Sequence, residues 1–290
     1  MSAQSNDGND KTHDIWNGEA GKDWAENQRD LDDFLRDAMN QLLAQLPLQP
    51  GLRALEIGSG SGTMSMDMAR IAGETGYVLG LDVSKELLAL ARRRAEAAKM
   101  HNVAFRDLDI QTQTLDETGF DICAAQFGMM FFSDPVLALG NIRAHLNQGA
   151  TVAFNGWADE GNPWFSIPLK IAETYLGPLE QEPNDGAPAP GPLAFSDVSY
   201  VTELLTKAGY ADIRGWRSEI MIRHPNGLEA LMHSIRYVGP ISTLYRLTSP
   251  DEATREKIAR DIRKEFAQFV QPDGSVAVPG RVSMYRCLAP

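Results

Sequence analysis

Cysteine is almost absent: Cys123 and Cys287 are the only two in 290 residues. They stand far apart, each in an apolar, strand-like stretch. Two such residues build neither a disulfide framework nor a thiolate metal site, and buried free cysteine behaves as a small hydrophobe. No metal is expected, and the setting reads as reducing and cytoplasmic. Positive charge is also scarce. The 27 Lys and Arg against 39 Asp and Glu leave a net charge of −12, the wrong sign for a nucleic-acid binder. The one basic run, Arg92-Arg93-Arg94, reads as the solvated face of a helix. No apolar run reaches the roughly 18 residues of a membrane span. The polar start MSAQSNDGNDKTHD lacks the apolar segment of a signal peptide. Nucleophile motifs are missing too: there is no G-x-S-x-G elbow and no Cys–His signature.

What is present is a globular chain with 43% apolar residues, enough for one large domain with inserts. Residues 1–13 read as a disordered tail. Residues 14–50 read as an N-terminal helical segment, with Leu31, Phe34, Leu35, Ala38, Leu42 and Leu46 on one face at helical spacing. From 51 to 290 strands and helices alternate. Strands are expected at 53–58, 77–83, 102–109, 120–128 and 150–157, with helices between them. That rhythm predicts a doubly wound, mostly parallel sheet. Two inserts interrupt it, at about 158–194 and 226–271. The first holds seven prolines and the acidic loop EQEPNDGAPAPGP (180–192). A helix over 196–209, capped by Ser196, leads to a strand over 210–223, and a last strand covers 275–289.

The stretch ALEIGSGSGTMSMDMAR (54–70) places three glycines, Gly58, Gly60 and Gly62, at a strand-to-helix turn. Ligands of open parallel sheets bind outside the carboxyl ends of the strands. Glycine there lets the backbone come close to a ligand, and the amides of the next helix favour electron-rich groups. A phosphate-binding P-loop needs Lys and then Ser or Thr after its last glycine, but Thr63-Met64 follows Gly62. A dinucleotide turn spaces its last two glycines by three, and here they are two apart. Glu56, two residues before Gly58, suits a cationic ligand better than a pyrophosphate.

E-x-G-x-G-x-G at 56–62 resembles the first motif of class I S-adenosylmethionine-dependent methyltransferases. Other segments agree in order and spacing. Asp82 in GLDVS resembles the acid that holds the cofactor ribose, with Val83 beside it. FRDLDIQT (105–112) resembles the adenine segment, with Asp109 and Ile110 the best match and Asp107 competing. QFGMMFFSDP (126–135) resembles the fourth-strand motif near the transferred methyl, bringing in Gln126 and Phe127. In HLNQGATVAFNGW (145–157) the usual Pro and second Gly of the turn are replaced. WNGEAGKDWAENQR (16–29) and GNPWFSIPL (161–169) look like a subgroup related to ubiquinone and menaquinone biosynthesis.

The resemblance implies a seven-stranded Rossmann-like sheet with its last strand antiparallel. It also implies S-adenosylmethionine as cofactor and methyl transfer to a small acceptor, aromatic or polyketide-like, on oxygen or carbon. Glu56, Gly58, Ser59, Gly60, Gly62, Asp82, Val83, Asp109, Ile110, Gln126 and Phe127 would hold the cofactor. Trp24 and Gln28, with Trp16, would close over it as a lid. Met130, Trp157, Trp164, Phe165 and Tyr237 would line the acceptor pocket, with Tyr175, Met232 and Tyr245 nearby. His224 and His233 are the candidate general bases. A homodimer stays open. Two other readings remain, a nicotinamide-dependent oxidoreductase and a non-catalytic partner subunit that keeps the cofactor fold.

Overall fold

The computed structural model describes residues 7–179, 187–235 and 239–290. Seven strands form one sheet: β1 (Arg53–Ile57), β2 (Tyr77–Asp82), β3 (Val103–Asp107), β4 (Phe120–Gln126), β5 (Leu146–Trp157), β6 (Ala211–His224) and β7 (Val276–Leu288). Their order is β3-β2-β1-β4-β5-β7-β6. β7 runs antiparallel to both its neighbours, and the other six strands are parallel. The sheet expected from the alternating pattern is therefore the one that forms. β4 is fully apolar at its centre because both its faces are covered. Cys123 and Cys287 lie buried in β4 and β7, and burial pushes the Cys287 thiol up to about 12, so it stays protonated and inert.

Helices α4 (Thr63–Ala72), α5 (Lys85–Ala97) and α6 (Pro135–Arg143) follow the first strands, and α7 (Pro163–Leu176) and α8 (Val198–Lys207) follow β5. Their starts have local causes. Ser84 Oγ accepts from the Leu87 amide at the head of α5, and Asp134 accepts from Leu137 N beside Pro135 at the head of α6. α8 is capped by Asp197 rather than by Ser196, because the Asp197 carboxylate reaches the amides of both Ser199 and Tyr200. The second insert holds α9 (Gly227–Ile235), α10 (Pro240–Thr248) and α11 (Glu252–Phe266).

The N-terminal segment departs from expectation. Residues 7–13 are not a tail: they belong to α1 (Asp7–Asn17), followed by α2 (Glu19–Glu26) and α3 (Gln28–Leu43). The expected continuous helix breaks at Gly18 and Asn27. Gly18 is a weak helix former, and the Asn27 side chain bonds back to Asp23 O. Gly21 lets this corner pack tightly, since a β-carbon there would sit 2.0 Å from Trp16 O and 2.8 Å from Ser84 Oγ. α3 keeps the expected stripe, with Leu31, Phe34, Ala38 and Leu42 buried, and Met39 joins it. Leu35 is only partly buried.

Candidate functional site

β1 ends at Ile57, and the glycine turn follows at the carboxyl edge of the sheet. Gly58, Gly60 and Gly62 all have positive φ, at 68°, 52° and 82°, a region that L side chains seldom enter. They differ in their surroundings. A β-carbon on Gly58 would lie 2.8 Å from Gly128 Cα, and one on Gly62 would lie 2.5 Å from the Phe105 ring. These two glycines let the chain pack. Gly60 faces open space, with nothing within 4 Å of that position, so its exposed side is free to meet a ligand.

Two acids frame the turn. Asp82, at the end of β2, accepts from Gly60 N at 2.7 Å and from Ser84 N at 2.8 Å. Burial raises its pKa, and the amides of Ser84, Gly60 and Val83 oppose that shift. A carboxylate has about four acceptor sites, so these amides leave lone-pair capacity for hydroxyl donors. Glu56 is buried and accepts from the Ser65 hydroxyl on α4. Burial pushes it up to about 8, the Ser65 bond pulls it down, and the nearby Asp82 charge pushes it up again. Ser59 Oγ, in the turn itself, is buried without a hydrogen-bond partner. An open glycine, a hydroxyl without a partner and two anchored acids fit a polyhydroxylated, cationic ligand.

A clamp holds the turn from behind. Arg94 Nη1 on α5 donates to Ser61 O, Ser61 Oγ and Thr63 Oγ1 at 2.7, 3.0 and 2.8 Å. Its Nη2 reaches Asp32 on α3 at 3.1 Å. Thr63 also donates to both Asp32 oxygens, and Gln28 donates to Asp32. Arg94 is thus not the solvated charge its sequence context suggests, and Arg92 likewise donates to Phe105 O. The Arg94–Asp32 pair is largely shielded, with side chains 25% and 18% exposed. Arg94→Ala is expected to cost about 1–2 kcal/mol of stability and to weaken ligand binding at the turn by roughly threefold to tenfold. Denaturant melts and calorimetry check this, and an unchanged melt would show the clamp to be idle.

Helix α1 roofs the ends of β2 and β3. Asn17 donates to Val83 O and accepts from Lys85 N. Asp109 accepts from Asn9 Nδ2 at 2.7 Å, Thr112 Oγ1 at 2.6 Å and Gln111 N at 2.9 Å, with His13 Nε2 at 3.4 Å. Burial raises its pKa, yet the bonds from Thr112, Asn9, the Gln111 amide and His13 outweigh burial and lower it. The acid expected at the adenine is here the fastening point of α1. Ile110 is buried, and its carbonyl accepts from Asn141. Asp107, the competing acid, is exposed beside Asp82. Trp16 stands edge-on to Trp24 and Phe131, at 5.6 and 5.3 Å. Gln126 ties β4 to Leu35 O on α3.

On the acceptor side, Phe127 has φ +56°, a strained value for a bulky residue, costing roughly 1–3 kcal/mol. Two contacts hold it there. Its amide donates to Asn155 Oδ1 at 3.0 Å, and its ring stacks on Trp157 at 4.5 Å. Trp157 meets Phe165 at 4.9 Å and Phe34 at 6.1 Å. Phe34 meets Trp164 at 4.3 Å and His224 at 5.7 Å. Met130 is buried nearby in a single turn of 3-10 helix. Trp157, Trp164, Phe165 and His224 are thus brought together. His233 is apart from them, exposed on α9 and 2.7 Å from Asn27 Oδ1. Tyr175 is 42% exposed and bonded through its hydroxyl to Asp261. Met232 is buried. Tyr237 lies outside the described residues, as does part of the acidic loop, 180–186.

Residues 48–162 match a family model described as a methyltransferase domain. This part of the chain is similar to methyltransferase domains. It is similar to aklanonic acid methyltransferase DauC from Streptomyces sp. (strain C5), 29% identical over 36% of this chain and 47% of that protein. It is similar to nocamycin O-methyltransferase from Saccharothrix syringae, 22% identical over 81% of this chain and 86% of that protein. Among solved structures, an S-adenosylmethionine-dependent methyltransferase from Aquifex aeolicus overlays with TM-score 0.50. That structure is 20% identical and covers 68% of this chain and 92% of its own. The chain spans about half the length, or less, of several of the curated relatives it matches.

Residues 48–162 supply the glycine turn, Asp82, Asp109, Phe127 and Asn155, while the rest of the chain supplies α1, α3, α7 and β6 around them. Sequence reasoning missed Asn9, Asp32, Arg94 and Asn155. Asn155 lies in the quoted strand-five segment, and a buried amide in an apolar strand was a readable signal. Arg94 and Asp32 carried none, because their pairing joins two elements far apart in sequence. Among the described residues, no helix is long and apolar enough to cross a membrane.

Proposed function

We propose that the chain transfers the methyl group of S-adenosylmethionine to a small, oxygenated aromatic or polyketide-like acceptor. The observation that carries this reading is the open Gly60 held against Asp82 beside the buried Glu56. Asp82 would take the ribose hydroxyls, Gly60 would admit the ligand backbone, and Glu56 would face the methionine ammonium. The cofactor supplies an electrophilic methyl on a sulfonium. The protein's own residues hold donor and acceptor in line and keep water out, and such positioning contributes about 7–11 kcal/mol. No covalent nucleophile is needed. Acceptors of this kind are named for DauC and for the nocamycin enzyme, which supports the class without fixing the molecule.

The second reading is a partner subunit that keeps the fold without the reaction. What favours it is Asp109, whose carboxylate is already occupied by Asn9 of α1 and by Thr112 and Gln111 of its own loop. Calorimetric titration with S-adenosylmethionine and S-adenosylhomocysteine separates the two. Micromolar binding of both, followed by a one-methyl mass gain on a hydroxylated naphthoquinone or polyketide, is the expected result. If neither ligand binds, methyl transfer is the wrong reading and the partner role stands.

A further inference from the structure

Among the described residues, four buried side-chain polar atoms have no hydrogen-bond partner: Ser59 Oγ, Asn155 Nδ2, Trp164 Nε1 and His224 Nε2. Folded proteins leave few such atoms, and each calls for an explanation. Their location here is not scattered. Ser59 is in the glycine turn. Asn155, Trp164 and His224 are 0%, 1% and 1% exposed and surround one aromatic cluster. That cluster starts at Phe127, whose amide holds the other end of the Asn155 side chain. It runs through Trp157 and Phe34 to Trp164 and His224, whose rings lie 6.0 Å apart and nearly parallel, at 18°. The near end abuts the cofactor turn, since Gly128, next to Phe127, touches Gly58.

The chemistry of the three atoms is specific. Asn155 Nδ2 and Trp164 Nε1 can only donate. His224 Nε2, on a neutral imidazole, can accept from a hydroxyl or donate to a carbonyl. Rings surround them, and Asp30 is the charge that acts on His224. A small-molecule site has this composition, mostly apolar walls with a few convergent polar groups.

We infer that Asn155, Trp164 and His224 are the hydrogen-bonding residues that orient a flat acceptor carrying both a carbonyl and a hydroxyl. Asn155 sits at the end nearer the transferred methyl, and Trp164 and His224 hold the far end. They are positioning residues and do not touch the reacting bond. This inference rests on the methyltransferase reading for the position of the methyl, but its test does not. It also explains why a chain would keep polar atoms in an aromatic core that phenylalanine would fill as well.

The probes are 5-hydroxy-1,4-naphthoquinone, whose phenol stays neutral near pH 7, and 1,4-naphthoquinone, which differ by one hydroxyl. Binding is read by calorimetry on the full chain in the presence of S-adenosylhomocysteine, and repeated without it. Wild type is expected to prefer the hydroxylated probe by about tenfold or more. Trp164→Phe and His224→Phe keep the rings and remove the polar atoms. Each is expected to weaken the hydroxylated probe by roughly tenfold and to leave S-adenosylhomocysteine affinity within about twofold. Loss of the hydroxyl preference in His224→Phe alone assigns the hydroxyl to His224. The inference is overturned if wild type binds neither probe, if it does not distinguish them, or if both variants bind as wild type does. The wild-type preference decides the matter even where a variant fails to fold. Failure to bind S-adenosylhomocysteine, with the probe preference intact, would strike the methyltransferase reading and leave this one standing.

Discussion

Asp82→Ala is expected to weaken S-adenosylmethionine binding by about two to four orders of magnitude. Two hydroxyls donating to one carboxylate make charge-assisted bonds worth roughly 1.5–3 kcal/mol each, and about 1.4 kcal/mol is tenfold in affinity. The effect has a second source inside the protein. Asp82 also holds the amides of Gly60 and Ser84, so its loss frees the turn as well as the ligand. Asp82→Asn is not a neutral replacement. Its amide nitrogen would face one of those two N–H groups, donor against donor, so Asn should recover only part of the affinity. Calorimetric titration of the three proteins measures this. Binding by Asp82→Ala within about threefold of wild type would remove Asp82 from the cofactor site.

The second large effect lies in stability against pH. Burial lifts Glu56 from its ordinary 4.5 to about 8. The folded state therefore keeps this proton after the unfolded chain has released it. Between about pH 4.5 and 8 the unfolded state is progressively favoured, so this group's stabilising share, full below 4.5, is lost as pH rises through that window and falls no further above it. At about 1.4 kcal/mol per pKa unit, the loss amounts to roughly 4–5 kcal/mol. Glu56→Gln keeps the shape and can still accept from Ser65, but has no proton to lose. Its stability should match wild type near pH 5 and exceed it by several kcal/mol near pH 8. Parallel denaturant curves for the two proteins across that window would refute the buried-acid picture. The same residue reports on the ligand. A cationic ammonium beside Glu56 favours its ionised form, so cofactor binding at neutral pH should release about one proton, seen as heat that changes with the buffer. In Glu56→Gln that release should vanish.

Much of this molecule was readable along the chain. The alternating apolar strands and capped helices gave the parallel sheet, because periodicity and capping are local properties. The glycine spacing with Glu56, and Asp82 at the end of the next strand, pointed to a candidate cofactor side for the same reason: each motif is a few contiguous residues at a known edge of the sheet. The acidic, cysteine-poor composition argues against nucleic-acid binding and a disulfide scaffold. Tertiary structure alone decided the rest. That residues 7–17 are helical follows from bonds between Asn9, His13 and Asn17 and the distant Asp109 and Val83, which local propensity does not contain. Arg94 reads as solvent-facing until α3 places Asp32 against it. His224 and His233 look alike in sequence, and only the fold buries one among Phe34 and Trp164 and leaves the other at the surface. A local pattern shows which face of an element is apolar. It does not show which distant side chain will meet that face, because that contact is set when the elements pack.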